Sequence, residues 1–252
     1  MELLLMMDAA RGASAARITA VIPHYAYARS DKKDAPRISI AARLVADLIA
    51  TAGAGRVLTM TLHSAQVHGF FSVPVDHMNA LKVLARHFRR RSLADTVVVS
   101  PDLGNAKSAS RFARMLKLPV AAGSKRRLGD DEVVIDAIVG DVDGKNVIVI
   151  DDEIANGGTV IEVIEKLRER QVRRIAVVCT HGLFTGKAIE RLAAQPDVAE
   201  IVTTDTVPIA KEKRLPNLTV LSVAPLLAEA IRRIHLGKSV SVLFDEPEEE
   251  RR

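Results

Sequence analysis

Cysteine is almost missing from this sequence of 252 residues: Cys179 is the only one, and it follows the apolar run Ile175 to Val178. One thiol forms neither an internal disulfide nor a cysteine zinc site, which predicts a reducing, cytoplasmic setting. Its place in an apolar run reads as a small core residue. Trp is absent and aromatic residues make up only 3%, so stacking platforms for single-stranded nucleic acid are scarce. With no recognisable nucleic-acid module either, a nucleic-acid partner is not expected. No uncharged apolar run approaches the roughly 18 residues that a membrane span needs. The opening MELLLMMDAARG is too short, and too acidic at Glu2 and Asp8, for a signal peptide. A GxxxxGK phosphate loop is also lacking, which excludes the Walker class.

What is present fits a soluble globular chain of one large domain or two ordinary ones. Hydrophobic residues make up 48% and charged residues 27%, enough to bury a sizeable core. The net charge is +5, from 36 Lys and Arg against 31 Asp and Glu. Much of the excess is clustered at Arg29 to Arg37, Arg86 to Arg91 and Lys125 to Arg127. Such clusters suit several phosphates better than one duplex backbone.

Short β-branched runs alternate with helical stretches, the pattern of a parallel α/β architecture. The runs predict strands over Ile18–Pro23, Val57–Leu62, Thr96–Ser100, Asn146–Asp151, Ile175–Thr180, Ile201–Thr204 and Leu218–Val223. Each is continuously apolar, as strands covered on both faces are. A helix is expected from a Ser39 cap to about Thr51, with Gly53 at its exit. In Thr159–Arg170, Val160, Val163, Ile164 and Leu167 take the i, i+3, i+4, i+7 spacing of a buried helix face. Weaker helical patterns cover Asn79–Arg90, Ala106–Leu116 and Pro225–Leu236, and the charged tail from Asp245 reads as disordered.

The sharpest chemical signal is Val147-Ile-Val-Ile-Asp-Asp-Glu-Ile-Ala-Asn-Gly-Gly-Thr159, followed at once by a helix. A buried strand ends in two carboxylates, then a Gly-rich turn, then a helix N-terminus. In an open α/β sheet ligands bind beyond the carboxyl ends of the strands, so this turn faces the site. The backbone N–H groups from Asn156 to Thr159, with the helix dipole, predict a nest for a phosphate dianion. Gly157 and Gly158 allow close backbone approach, and the Thr159 hydroxyl adds a donor. Asp151 and Asp152 can then hold ribose hydroxyls or Mg²⁺.

This run resembles the phosphoribosyl-binding loop of the phosphoribosyltransferase fold. The wider order of motifs is similar to that of the ribose-phosphate pyrophosphokinase family, from Met1 to about Phe244. YARSDKKDAPR, TLHSAQVHGFFSVPVDH, VVVSPDLG, SKRR, VIVIDDEIANGGT, DTVP, RLPNLTVLSVAPLLAEAIRRIH and SVSVLF carry the resemblance. It implies two phosphoribosyltransferase-like, doubly wound α/β domains with mostly parallel sheets, the first of them incomplete. The first would span residues 1–80, with 237–244 returning to it, and the second 81–236, with a tail at 245–252. The implied reaction moves the diphosphoryl group of Mg-ATP to the C1 hydroxyl of ribose 5-phosphate, releasing AMP and supplying nucleotide biosynthesis.

By the same resemblance, Lys125 and Arg127 belong to a catalytic loop, and two cations there would stabilise developing charge. Arg29, Asp34 and His63 contact ATP, which would lie between the domains, while His63 and Asp102 are ligands for its Mg²⁺. Asp151, Asp152, Asn156, Gly157, Gly158 and Thr159 hold ribose 5-phosphate. A homo-oligomer built from dimers, up to a hexamer, and activation by phosphate are implied as well. Four features depart from the family pattern. Ala155 and Asn156 replace an Asp and a Thr, Thr61 replaces an Asp two residues before His63, Ser30 replaces a Gln, and Asn105 replaces a Gly. Family chains also begin several tens of residues earlier, which leaves Leu3, Leu4 and Leu5 expected to lose their cover. These departures keep open a catalytically impaired paralogue acting as a regulatory or assembly subunit. A salvage phosphoribosyltransferase sharing only the second domain is disfavoured by the basic loop and the HGFF motif.

Overall fold

The computed structural model describes residues 1–127 and 133–244. In chain order the elements are α1 (Glu2–Gly12), β1 (Thr19–Ile22), α2 (Ala41–Thr51), β2 (Arg56–Met60), β3 (Val75–Met78), α3 (Leu81–Phe88), β4 (Thr96–Ser100), α4 (Ala106–Leu116), β5 (Val120–Arg127), β6 (Val133–Val139), β7 (Asn146–Ile154), α5 (Gly158–Glu169), β8 (Arg174–Gly182), α6 (Ala188–Ala193), β9 (Val198–Thr204), β10 (Leu218–Leu221) and α7 (Ala224–His235). Short 3-10 turns lie at Ala65–Phe70, Lys211–Lys213 and Ser241–Leu243. The chain divides into one compact unit of residues 1–79 and 225 onward and another of 80–224. The last helix therefore groups with the first unit, whereas the sequence pattern placed residues 225–236 with the second. The expected tail at 245–252 lies outside the described residues.

The second unit carries a seven-stranded sheet in the order β10-β9-β8-β7-β4-β5-β6, parallel throughout except for the β5–β6 pair. Its middle is dry. All five residues of β4 are buried, and β7 and β8 are buried along most of their length. One core joins Val97, Val99, Val147, Val149, Ile175 and Val177 to Val160, Val163, Ile164 and Leu167 of α5 and Leu192 of α6. Helices α3 and α4 pack on one another, α3 touches β8 and β9, and α4 touches β4 and β5. Phe88 and Phe112 meet edge to face between these two helices, with ring centroids 6.1 Å apart.

That strand order positions the site. The chain leaves β4 through α4 toward β5 and leaves β7 through α5 toward β8, in opposite directions along the sheet. A crevice therefore opens beyond the carboxyl ends of the adjacent strands β4 and β7. Asp102 follows β4, and Asp151 lies on β7 beyond the residues that pair with β4.

The first unit holds a parallel sheet in the order β1-β2-β3. Its core joins Met7 of α1, Ala42 and Ile49 of α2, Val57 of β2, and Tyr25, Leu62 and Val67 from the loops. Leu4 packs against this core, while Leu3 and Leu5 are exposed. Helix α2 also differs from expectation at its start. Ile40, not Ser39, is its N-cap residue, and no side chain of the cap position bonds to the helix. The Ala41 N–H instead donates to Ser30 Oγ at 3.1 Å, so the capping oxygen comes from the preceding loop. Strands β3, β5 and β6 and helix α6 escaped the sequence pattern. β3 and α6 are short and β5 turns polar after Ala122, so too few apolar positions remain to set a period; β6, VVIDAIV, is an apolar run that the expected strands left out.

Candidate active site

Strand β7 runs on past the expected Asp151 to Ile154, so both carboxylates and Glu153 sit on the strand itself. Asp151 pairs in register with Cys179 of β8, and Glu153 with His181. The Asp152 N–H donates to Asp151 Oδ1 at 2.9 Å. Burial holds the Asp151 carboxyl well above the ordinary carboxylate range, and the neighbouring charges of Asp152 and Asp102 push it further the same way. Three acidic groups at one crevice make a place that favours a cation or hydrogen-bond donors such as sugar hydroxyls.

The turn that follows has Gly157 at φ +76°, a left-handed conformation that a side chain resists, and Gly157 is the N-cap of α5. The expected phosphate nest is partly closed by its own sequence. Asn156 Oδ1 accepts the Gly158 N–H at 3.0 Å, so one of the four expected donors is already engaged. From α6, Arg191 Nη1 donates to the Asn156 carbonyl at 3.1 Å and brings a guanidinium to the turn. Nothing in the sequence pattern singled out Arg191, because α6 is too short to show a period.

Across the crevice, Asp102 is fixed from two directions. Ser100 Oγ donates to its carbonyl at 2.6 Å, and the Asn105 N–H donates to its Oδ1 at 3.0 Å. Asn105 begins α4, and its side-chain Nδ2 reaches the Ile150 carbonyl at 3.0 Å and Asp151 Oδ1 at 3.3 Å. Gly123 of β5 passes directly beneath this loop. A Cβ there would run into the Pro101 carbonyl oxygen, so only glycine lets β5 lie alongside.

In the first unit, Arg29 and Asp34 are exposed on the segment that links β1 to α2. That segment is tied down by residues to which the sequence assigned no role. Asp31 is buried and accepts a hydrogen bond from Gln66 Nε2 at 2.8 Å. Tyr25 OH donates to the Ala42 carbonyl at 2.7 Å, and Ser30 Oγ donates to the Ser39 carbonyl at 3.1 Å. Burial, with the nearby charge of Asp47, raises the Tyr25 hydroxyl above its ordinary range, so it stays a donor.

His63 is exposed just beyond β2. Its loop is held by His77 of β3, whose Nε2 accepts the Leu62 N–H at 2.9 Å, and by the Thr61 N–H, which donates to the Met78 carbonyl at 2.9 Å. Thr61 has φ +41°, uncommon for a β-branched residue and easier for Asp or Asn. Next to His63, Ser64 Oγ is buried without a hydrogen bond among the described residues.

The Lys125 and Arg127 backbones lie on β5, opposite Ile135 and Val133 of β6, with a register shift between Ser124 and Lys125. These two residues thus form a hairpin arm, and the loop itself falls on 128–132, outside the described residues along with their side chains. His63 and Asp102 belong to different units. Among the described residues no group of three or more His, Cys, Asp or Glu converges as a metal cage. Magnesium rarely needs one, since it takes one or two carboxylates and fills its shell with water and phosphate oxygens. The oxygen donors at Asp102, Asp151 and Asp152 suit that hard cation.

The DTVP motif ties the end of β9 to its neighbours. Asp205 Oδ1 accepts the Val223 N–H at 2.8 Å, and Thr206 Oγ1 meets His181 Nδ1 at 2.9 Å. Cys179 is fully buried and its thiol is pushed up to about 12 by burial, which keeps it protonated and supports its reading as a core residue. Among the described residues no helix is long and apolar enough to cross a membrane.

Comparison with known proteins brings these features together. Residues 134–245 match the family described as phosphoribosyl synthetase-associated domain, and residues 1–53 match the N-terminal domain of ribose phosphate pyrophosphokinase. A Streptomyces coelicolor protein, provisionally assigned as a ribose-phosphate pyrophosphokinase, is 64% identical over 244 residues, covering 97% of this chain and 77% of its own. The ribose-phosphate pyrophosphokinase of Deinococcus radiodurans is 53% identical over 249 residues, covering 97% of this chain and 78% of its own. The crystal structure of phosphoribosylpyrophosphate synthetase from Mycobacterium smegmatis superposes with a TM-score of 0.88 at 44% identity, covering 94% of this chain and 78% of that one.

Proposed function

The chain belongs to the ribose-phosphate pyrophosphokinase family, a family of transferases, and on that premise we propose that it moves the diphosphoryl group of Mg-ATP to the C1 hydroxyl of ribose 5-phosphate. The new bond joins the sugar's C1 oxygen to the β-phosphorus, the bond from that phosphorus to the α,β-bridging oxygen breaks, and AMP leaves. The observation that carries the reading is the crevice beyond β4 and β7, where Asn105 links Asp102 to Asp151 and the Gly157–Gly158 turn follows the strand that bears Asp151 and Asp152.

Asp151 and Asp152 accept hydrogen bonds from the ribose hydroxyls, and the turn with Gly158 and Thr159 receives the 5-phosphate, with Asn156 at its rim. Arg191 adds a cation at that turn, which offsets the dianion's charge. Arg29, Asp34 and His63 hold ATP. Asp102 and His63 would hold Mg²⁺, which would supply positive charge against the polyphosphate. Lys125 and Arg127 stabilise the charge that develops during transfer. Two of the departures from the family pattern are built in rather than vacant. Ser30 fastens its loop, and Asn105 binds both sides of the crevice. That supports a working site over a decayed one. A cytoplasmic setting, phosphate activation and a homo-oligomer belong to the same proposal. Exposed Leu5 and Met6 on α1 and Leu44 and Leu48 on α2 are apolar surface available to a second copy.

The test is product identity. Phosphorus NMR of the purified chain with Mg²⁺, phosphate, ATP and ribose 5-phosphate should show AMP and a C1-linked diphosphate growing together, one to one. Formation of ADP, or AMP without the sugar diphosphate, would refute the proposed transfer.

A further inference from the structure

Asn105 stands where two parts of the crevice meet. Its backbone N–H donates to Asp102 Oδ1 at 3.0 Å, and its side-chain amide donates to Asp151 Oδ1 at 3.3 Å and to the Ile150 carbonyl at 3.0 Å. Both atoms in reach of the amide nitrogen are acceptors, so the amide orientation is determined by its neighbours. The two carboxylates are attached to different strands, β4 and β7, whose connections leave the sheet in opposite directions. The two strands are paired only as far as Val99 and Val149, and both carboxylates lie beyond that pairing. Like charges repel, and the neighbouring charges of Asp152 and Asp102 both act on Asp151.

We infer that Asn105 is a positioning residue that holds the Asp102 and Asp151 carboxylates in one arrangement, coupling the metal-holding loop to the ribose-holding strand. The inference rests on the function proposed above and extends it to a side chain that the site's own chemistry does not require. A glycine at this position would keep the N–H to Asp102 and lose the amide to Asp151. The effect of Asn105 should thus be felt in ribose 5-phosphate binding and should depend on the charge of Asp151. A purely structural N-terminal residue of α4 would show neither property.

The experiment is a double-mutant cycle read by calorimetric titration of ribose 5-phosphate, with kcat and KM measured alongside. Asn105→Gly should weaken ribose 5-phosphate binding about three- to tenfold, the range that one net hydrogen bond covers, and raise its KM more than it lowers kcat. In an Asp151→Asn background the same substitution should change binding less than about twofold, since the charged acceptor is gone. Asn105→Asp keeps the shape, places a third carboxylate between the other two and should weaken binding further, so it carries the test if the glycine variant is poorly folded. Unchanged binding in both variants, or an equal loss with and without the Asp151 carboxylate, overturns the inference. Wild-type protein that fails to bind ribose 5-phosphate overturns the proposed function, and the inference falls with it; wild-type protein that binds while the Asn105 variants bind equally well overturns the inference alone.

Discussion

The segment after β7 and the segment after β1 carry opposite kinds of design. Strand β7 lies in the interior of a seven-stranded sheet, and its carboxylates are aimed by a buried strand and the start of α5. The segment after β1 belongs to a three-stranded sheet and spans 23–40 with no helix or strand of its own. It is placed by single side-chain bonds from afar: Asp31 to Gln66, Tyr25 to Ala42, and Ser30 to Ser39 and Ala41. In the first region the fold supplies the geometry. In the second, a few polar side chains do.

Removing the Asp151 charge should break this contrast hardest. Asp151→Asn should lower ribose 5-phosphate turnover by about a hundredfold or more, because it removes a charged acceptor from the substrate. The same variant should be more stable than the wild type at neutral pH. The sign follows from the raised Asp151 carboxyl. A group bound more tightly to its proton in the folded state favours folding below the ordinary value of 3.8 and costs stability as pH rises above it. The gain in melting temperature, measured without metal, should therefore be present at pH 8 and fade toward pH 4. A variant less stable than wild type at pH 8 would show that the carboxylate is compensated in the fold.

Loosening the segment after β1 should act on the other substrate. Asp31→Ala removes the acceptor for Gln66 and should raise the KM for ATP about fivefold, near one net hydrogen bond, with ribose 5-phosphate binding unchanged. Equal losses for both substrates would mean that the two regions are not separable. Asn156→Thr removes the amide oxygen that occupies the Gly158 N–H and should tighten ribose 5-phosphate binding about two- to fourfold by calorimetry. Weaker binding would show that the Asn156 bond shapes the turn instead of blocking it.

The smallest effect is a matched pair in the same segment. Ser30→Ala should cost about 1 kcal/mol in denaturant unfolding, the usual loss for a capping oxygen. Ser39→Ala should stay within about 0.5 kcal/mol, since only its carbonyl is used. The reverse order would restore Ser39 as the cap.

The contrast also explains what could be read from sequence. Strands β4, β7, β8 and β9 and helices α4 and α5 were legible, because burial on both faces writes continuous apolar runs and burial on one face writes a helical period. The turn at Asn156–Thr159 was legible because its glycines and carboxylates follow such a strand at once. Ser39 was misread as a cap because a serine before a helix is a local signal, whereas the oxygen actually used, Ser30 Oγ, lies eleven residues before the Ala41 N–H that it caps. Asp31, His77 and Arg191 had no role legible in the sequence for the same reason: each acts on a partner brought near only by the tertiary fold. Asn105 stood out only as a departure from the family pattern, and its reach to Asp151 is likewise tertiary.

The measurement that bears most directly on the central claim is AMP release by the purified chain with Mg²⁺, phosphate, ATP and ribose 5-phosphate, set beside Lys125→Ala. The account predicts steady turnover that needs ribose 5-phosphate and falls about a hundredfold or more when that cation is removed. A folded chain that binds ribose 5-phosphate but releases no AMP, or an Lys125→Ala variant as fast as wild type, would contradict it.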